Sequence, residues 1–278
     1  MNYSSSSMLK REAKEQIFSN LGTVIGAFLV SFAITRYAPN LFPIPTNSLA
    51  GYGILLLFSI FISLIASIFM QGECMICLKL ACNQEIAVKD VFYGFKNGQI
   101  PKIIGLRIIP CVVVELVTIP VTFMQQYFLQ VIEEIGLLGE NAGSLSSLLV
   151  NPVQGADGVA ESLSALSEKV ARLIPVEMAY LGVLVIQVAV MIVMEIMFSQ
   201  VLFLSLDFPD KSVKETIMLG RKIMKGNWGR FFRLQLSFIP WHLLAAVTMG
   251  IAYIWVLPYV RATYTNFYLD LMKNQKKG

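Results

Sequence analysis

The sequence predicts an all-α integral membrane protein with six transmembrane helices, and three observations support that prediction. Hydrophobic residues make up 56% of the 278 residues and charged residues 14%, and the mean hydropathy is +0.66. Several apolar stretches reach the length of about 20 residues that a helix needs to cross a hydrocarbon core of about 30 Å. Lysine and arginine residues collect on one side of those stretches. So much apolar surface exceeds what one soluble core can bury, so most of it is expected to face lipid.

The six predicted spans follow one another along the whole chain. They are residues 21–37, 50–71, 103–127, 176–206, 230–249 and 251–272. The last two form one run that is too long for a single crossing, and we divide it at Gly250. Prolines within the spans are expected to kink them, because neighbouring helices can satisfy the freed carbonyl groups. Residues 1–278 are interpreted as a single polytopic membrane domain.

Basic residues indicate which side of the membrane each connecting segment occupies. If the N-terminus is cytoplasmic, only Arg36, Lys169 and Arg172 fall on the opposite side, and Arg261 lies inside a span. This bias follows the positive-inside rule and predicts a multi-pass plasma-membrane protein with both termini in the cytoplasm. The basic residues on the predicted cytoplasmic side are Lys10, Arg11, Lys14, Lys79, Lys89, Lys96, Lys102, Arg107, Lys211, Lys214, Arg221, Lys222, Lys225, Arg230, Arg233, Lys273, Lys276 and Lys277.

Three segments on that side share a pattern that predicts amphipathic interfacial helices, namely residues 9–19, 88–97 and 212–225. Each has apolar residues on one helical face, basic residues beside it, and an Asn with a Gly close behind, which suits a helix C-cap. Ser212 and Glu215 form a capping-box pattern in the third. The recurrence predicts a parallel threefold pseudo-repeat; the alternative is chance similarity of short motifs. The basic faces also fit anionic lipid headgroups.

Residues 133–173 have a different composition and are predicted to be an extracytoplasmic insertion. The segment is acidic, with Gly, Ser and Asn between the charges. Within it, Val159, Leu163, Leu166 and Val170 recur at helical spacing, which predicts a short amphipathic helix on the outer surface. A mobile loop is the alternative interpretation.

Several segments resemble a known family. They are "LKREAKEQIFSNLG", "KDVFYGFKN" and, most specifically, the run from Asp207 to Leu271 that contains "GRKIMKGNWGRFFRLQLSFIPWHLL". Over about three quarters of the chain the sequence is similar to an uncharacterised family of multi-pass membrane proteins, domain of unknown function 975, found mainly in Gram-positive bacteria. The resemblance implies an inner-membrane protein and brings no catalytic or binding residues. Two departures are the long outer insertion and Val176, which follows Pro175 where the family pattern has Gly.

Ionisable residues inside spans are costly, so each is a candidate functional residue. Glu115, Glu195, His242 and Arg261 all lie about 15–18 Å from one end of their predicted helices, at 1.5 Å per residue. Gln187 and Glu195 belong to a polar stripe at i, i+4 spacing that is expected to face other helices. These five residues form the candidate intramembrane polar site.

Two interpretations of this site remain open. In the first, Arg261 pairs with a carboxylate and interhelical hydrogen bonds hold the bundle together. In the second, a polar cavity admits a solute or proton, since two carboxylates facing one arginine leave a charge to be neutralised by protonation or by His242.

Catalytic and metal-binding patterns are not found in the sequence. Cys74 and Cys77 form a C-x-x-C, but a zinc site needs about four ligands, and His242, the only histidine, lies in another span. They are interpreted as small apolar side chains, and we expect no metal and no cofactor. No P-loop, H-E-x-x-H or G-x-S-x-G pattern occurs. The basic residues form no groove-sized stripe, so nucleic-acid binding is not expected.

Three functional hypotheses follow from the sequence. The first is a non-enzymatic accessory or interaction protein of the envelope, which contacts a membrane or envelope partner through the outer insertion or the basic helices. The second is a transporter of a small solute or peptide that uses the Glu/Arg/His layer. The third, an intramembrane enzyme, is the least favoured.

Overall fold

Helices make up the ordered elements of this chain wherever the computed structural model describes it, that is, in residues 3–37, 49–96, 98–135 and 156–275. The predicted all-α class is confirmed for these ranges. The elements in chain order are α1 (Ser6–Ser19), α2 (Leu21–Tyr37), α3 (Leu49–Ala81), a 3-10 helix (Val88–Phe95), α4 (Ile100–Ile135), α5 (Ala156–Phe198), α6 (Val201–Asp207), α7 (Val213–Met224), α8 (Trp228–Leu236), α9 (Ile239–Val247) and α10 (Tyr253–Gln275).

Three helical segments within the described ranges are long and apolar enough to cross a membrane. They are Gly53–Ala81, Ile100–Phe128 and Ile174–Asp207. Helices α1 and α2 qualify together, bent by 97° at a short break, which brings the number of candidate spans to at most four. The six spans predicted from the sequence are therefore not confirmed.

The C-terminal region explains most of that difference. Residues 230–249, predicted as one span, are divided between α8 and α9, each of nine residues, or about 14 Å of helix. Pro240 lies in the first turn of α9, where its missing N–H has no intrahelical partner to lose. The proline therefore starts a new helix instead of kinking a long one. Residues 251–272 fall largely in α10, whose second half is buried in the protein.

The three predicted interfacial segments are helical. Ser5 caps α1 by accepting a hydrogen bond from the Met8 N–H at 3.3 Å, and the capping box of Ser212 and Glu215 opens α7 as predicted. Asn20 is the C-cap of α1. After α7 the left-handed backbone falls on Gly226, with a φ of 82°. The membrane side on which these helices lie stays a prediction.

Each of these short helices packs near the C-terminal end of a candidate span or of α10. The 3-10 helix crosses α3 so closely that a Cβ on Gly72 would lie 1.9 Å from the Val91 carbonyl oxygen. Gly220 of α7 faces Val201 in α6. In α1, the backbone carbonyl of Leu9 accepts a hydrogen bond from Asn266 of α10 at 3.3 Å. The pattern resembles the predicted pseudo-repeat, which itself stays a prediction.

The chain forms two compact units, Met1–Val113 with Val193–Gly278, and Val114–Ile192. The core of the first contains aromatic side chains from α6, α8 and α10, including Phe203, Phe231 and Tyr268. The second contains the remaining parts of α4 and α5.

The predicted outer insertion, residues 133–173, is described only at its two ends. Residues 133–135 finish α4, and residues 136–155 lie outside the described ranges. Residues 156–173 begin α5, a continuous helix of 43 residues. The separate surface helix predicted around Val159 is therefore wrong. The apolar spacing does fall on helix, and that helix continues through Pro175 to Phe198.

Candidate functional site

Arg261 is paired with a carboxylate that the sequence interpretation did not include. Its Nη2 lies 3.3 Å from Oε2 of Glu73, and both side chains are less than one fifth exposed. Ser31 donates a hydrogen bond of 2.6 Å to the other oxygen of Glu73. Three helices, α2, α3 and α10, therefore meet at one ion pair. A charge with low exposure is stabilised by such a pairing, because its own hydration has been lost.

Glu195 and Arg107 extend this arrangement. The charge of Glu195 acts on Arg261, and that of Arg107 acts on the neighbouring Cys74. We refer to Ser31, Glu73, Arg107, Glu195 and Arg261 as the polar cluster. It contains two acidic and two basic side chains, so its formal charges balance within the chain.

Of the other predicted site residues, Gln187 and Glu115 belong to the second unit and His242 belongs to α9. Gln187 donates a hydrogen bond of 2.9 Å to Thr118, which ties α5 to α4 in the second unit. Glu115 belongs to α4 in the same unit. His242 lies on α9 with its ring centroid 6.0 Å from that of Tyr253. Of the five predicted residues, the structure therefore brings Glu195 and Arg261 into the polar cluster.

Glu73 was missed because the second span was predicted to end at residue 71. The helix continues to Ala81, and Cys74, Cys77 and Leu80 are all at most 3% exposed. Those positions repeat at i, i+3 and i+6, which is the spacing of one buried helical face. Extending the helix along that face would have placed Glu73 inside it.

The cysteines contribute packing to this region. Cys74, Cys77 and Cys111 are buried, and Cys82 is exposed. Cys74 and Cys77 lie in hydrophobic clusters with side chains from α1, α2 and α10. Within the described part of the chain, His, Cys, Asp and Glu side chains form no group of three that could hold a metal ion.

Further ion pairs tie the short helices to the long ones. Lys79 at the end of α3 lies 3.0 Å from Asp90 in the 3-10 helix, and the Ala87 N–H also donates to that carboxylate at 3.0 Å. Partial burial alone would raise the pKa of Asp90, but these hydrogen bonds and the Lys79 charge outweigh it and hold the pKa below its ordinary value. In α8, Arg230 contacts Asp270 of α10 at 2.6 Å.

The helices and ion pairs described above indicate the general class of this protein. In its described residues the chain is all-helical, with three helices, or four if α1 and α2 form one span, that are long and apolar enough to cross a membrane, and an ion pair joins one of them to α10. It belongs to the family described as protein of unknown function DUF975, whose model matches residues 1–275. Neither the curated proteins nor the solved structures gave a match.

Proposed function

We propose that this protein is a non-enzymatic accessory protein of the bacterial plasma membrane, which binds a second membrane or envelope protein through α5. The observation behind this proposal is the length of that helix. Its apolar span begins at Ile174, yet the helix begins at Ala156. Residues 156–173 add about 27 Å of helix, at 1.5 Å per residue, that crossing the bilayer does not require.

The composition of this extension suits a contact with protein. It carries Asp157, Glu161 and Glu168, on a helix that continues into the membrane-spanning part. Within the span, Met178 and Val185 are 65% and 68% exposed. Such a surface fits both lipid and the apolar face of a partner helix.

The polar cluster supports a binding role over solute transport. Glu73, Arg261 and Ser31 satisfy one another, so the strongest charges in this region serve to join three helices. A site that carries a charged solute needs charges that the solute can neutralise.

Site-specific photo-crosslinking in intact cells tests the proposal. A photoreactive residue at Ala171, an exposed position of the extension, is expected to give one discrete protein adduct. Matched positions are Leu57 on α3, which is 70% exposed, and Lys214 on α7, also exposed; neither is expected to give that adduct. Neutralising Glu161 and Glu168 to Gln should weaken it. Absence of a protein adduct at Ala171, with folded protein in the membrane, would contradict the proposal.

The membrane arrangement belongs to the same proposal. We place both termini and the basic helices α1 and α7 on the cytoplasmic side, where Lys and Arg residues attract anionic lipids at about 1 kcal/mol each. The right-angle bend between α1 and α2 supports a surface position for α1, because a helix perpendicular to a spanning helix lies along the membrane surface.

Transport is the second candidate, and buried polar atoms favour it. Oε1 of Gln71, Gln200 and Gln235 and Nε of Arg107 have no hydrogen-bond partner among the described residues. Each such atom costs about 1–3 kcal/mol, which water or a polar solute would relieve. A flux assay in proteoliposomes comparing the wild type with Glu195→Gln tests this function. Flux that falls in the variant supports transport, and equal flux removes Glu195 from any mechanism.

A further inference from the structure

The α9–α10 hairpin ends in an exposed apolar tip. Val247 is 83% exposed, Met249 97% and Ile251 70%. Leu243 and Trp255, just behind them, are also more than half exposed. No charged residue occurs between Arg233 and Arg261. A contiguous apolar surface of this kind marks contact with a membrane or a partner.

The backbone of the tip is hydrogen-bonded internally. Every N–H from Thr248 to Val256 has a partner within the hairpin: eight bond to backbone carbonyl oxygens, and the Ala252 N–H bonds to the Thr248 hydroxyl at 3.1 Å. An aqueous loop has no need of this, because water satisfies its backbone. A turn inside an apolar medium requires it, since each unsatisfied group there costs several kcal/mol.

The length of α3 gives a scale for the depth of the tip in the membrane. From Glu73 back to Leu49 it runs about 36 Å at 1.5 Å per residue, and residues 49–72 contain no charge. Ile54, Leu57 and Phe61 are each more than half exposed on this stretch. Ile54 lies about 29 Å along the helix from Glu73, and the hydrocarbon core is about 30 Å thick. If the exposed apolar side chains from Ile54 onward all lie in that core, Glu73 must lie near one of its two boundaries.

The hairpin ends far short of the outer end of α3. Arg261 contacts Glu73, and α10 rises only eight residues, or about 12 Å, from Arg261 to its first residue, Tyr253. Tyr253 lines a small cavity together with Phe32, the neighbour of Ser31, which bonds to Glu73. The first turn of α10 therefore lies no more than about 12 Å deeper than Arg261, which is within one leaflet of a hydrocarbon core of about 30 Å.

We propose that the tip, residues 243–255, is a membrane wedge that inserts into the acyl chains of one leaflet, the leaflet on the side of α1, and does not cross the bilayer. Its partner is lipid. A depth of about 5–10 Å is usual for interfacial helices. Trp241, just before the tip, and Trp255, its last residue, are placed as interfacial aromatic residues are. Lys14 of α1 lies 5.9 Å from the Trp241 ring centroid, so a headgroup-facing cation adjoins the wedge. This inference is independent of the partner proposed for α5.

Thiol accessibility tests the wedge in the full-length protein. In a Cys82→Ser background, which removes the exposed native thiol, Met249→Cys and Val247→Cys are compared with Ala171→Cys and Lys214→Cys. We expect the two tip thiols to resist a membrane-impermeant maleimide in intact cells and in inside-out vesicles, and to react in detergent. Labelling of both tip thiols in either aqueous compartment overturns the proposal.

A second measurement distinguishes the two leaflets. A fluorophore on Met249→Cys is quenched by a lysolipid, spin-labelled near its headgroup, that is added to the exposed leaflet of vesicles. If the wedge lies in the cytoplasmic leaflet, quenching is strong in inside-out and weak in right-side-out vesicles, and a fluorophore on Ile54→Cys shows the opposite. If the Met249 and Ile54 probes are both quenched more strongly in the same vesicle orientation, the hairpin crosses the membrane and the proposal is wrong.

Discussion

Arg261 has little access to water, and this low exposure explains why negatively charged side chains surround it. A guanidinium cannot lose its charge under physiological conditions, so the surrounding helices must supply negative charge. Glu73 does so at 3.3 Å, and the charge of Glu195 adds to it. The arginine thereby joins α10 to α3, and through Ser31 to α2.

Replacing Arg261 by Met is expected to destabilise the protein by about 3 kcal/mol, because it leaves Glu73 buried without its cation. Thermal unfolding in detergent, followed with a thiol-reactive dye, measures this, since three of the four cysteines are buried. Arg233→Met, at an exposed position, should change stability by less than about 0.5 kcal/mol. The double variant Arg261→Met/Glu73→Met should recover part of the loss. If the double variant is less stable than Arg261→Met alone, Arg261 and Glu73 do not stabilise the protein through their interaction with each other.

At the level of helices, periodicity predicted the elements better than their ends. All six predicted spans and all three interfacial segments fall on helices, because apolar spacing records which residues avoid water. It does not record whether lipid or protein covers them. Cys74, Cys77 and Leu80 are covered by protein, whereas hydropathy predicts lipid-facing runs, so the predicted span ended at residue 71. Pro240 was ambiguous for a similar reason, since a proline either kinks a helix or starts one.

The candidate site was predicted in part for the same reason. Arg261 and Glu195 stand out as charges within apolar runs, and the structure brings them together. Their partner Glu73 lies at the edge of a run, where a charge looks ordinary. Which charges pair between helices depends on the tertiary structure. A single sequence shows only that a charge inside an apolar run is costly and needs a partner.

The crossing of α3 and the 3-10 helix gives a prediction about elements. Gly72→Ala would place a Cβ 1.9 Å from the Val91 carbonyl oxygen, so the two backbones must separate. We expect a loss of about 2–3 kcal/mol, as for other overpacked sites, and a lower unfolding temperature in detergent. Gly53→Ala on the same helix meets no atom within 4 Å and should be neutral or stabilising. Equal stabilities for the two variants would exclude a close crossing at Gly72.

In the whole molecule, the beginning and the end of the chain are packed together. The Ser4 N–H donates to Asp270 at 3.2 Å, Arg230 donates to the Ser4 carbonyl at 3.0 Å, and Leu9 joins the hydrophobic cluster of Phe267 and Tyr268. Helix α1 therefore packs on α10 as the 3-10 helix packs on α3. The arrangement makes the stability of the C-terminal helices depend on the first residues of the chain.

Leu9→Ala tests whether the packing of α1 on α10 stabilises the C-terminal helices. Leu9 is 2% exposed and its neighbour Met8 is 43% exposed, so the two positions provide a matched pair on one helix. A buried Leu→Ala change costs about 2–5 kcal/mol, whereas Met8→Ala should cost well under 1 kcal/mol. If α1 closes the molecule, Leu9→Ala also makes α10 more sensitive to limited proteolysis in detergent, since α10 loses part of its cover. An unfolding temperature lowered equally by both variants, with α10 still protected in each, would mean that α1 folds on its own and that the chain ends do not depend on each other.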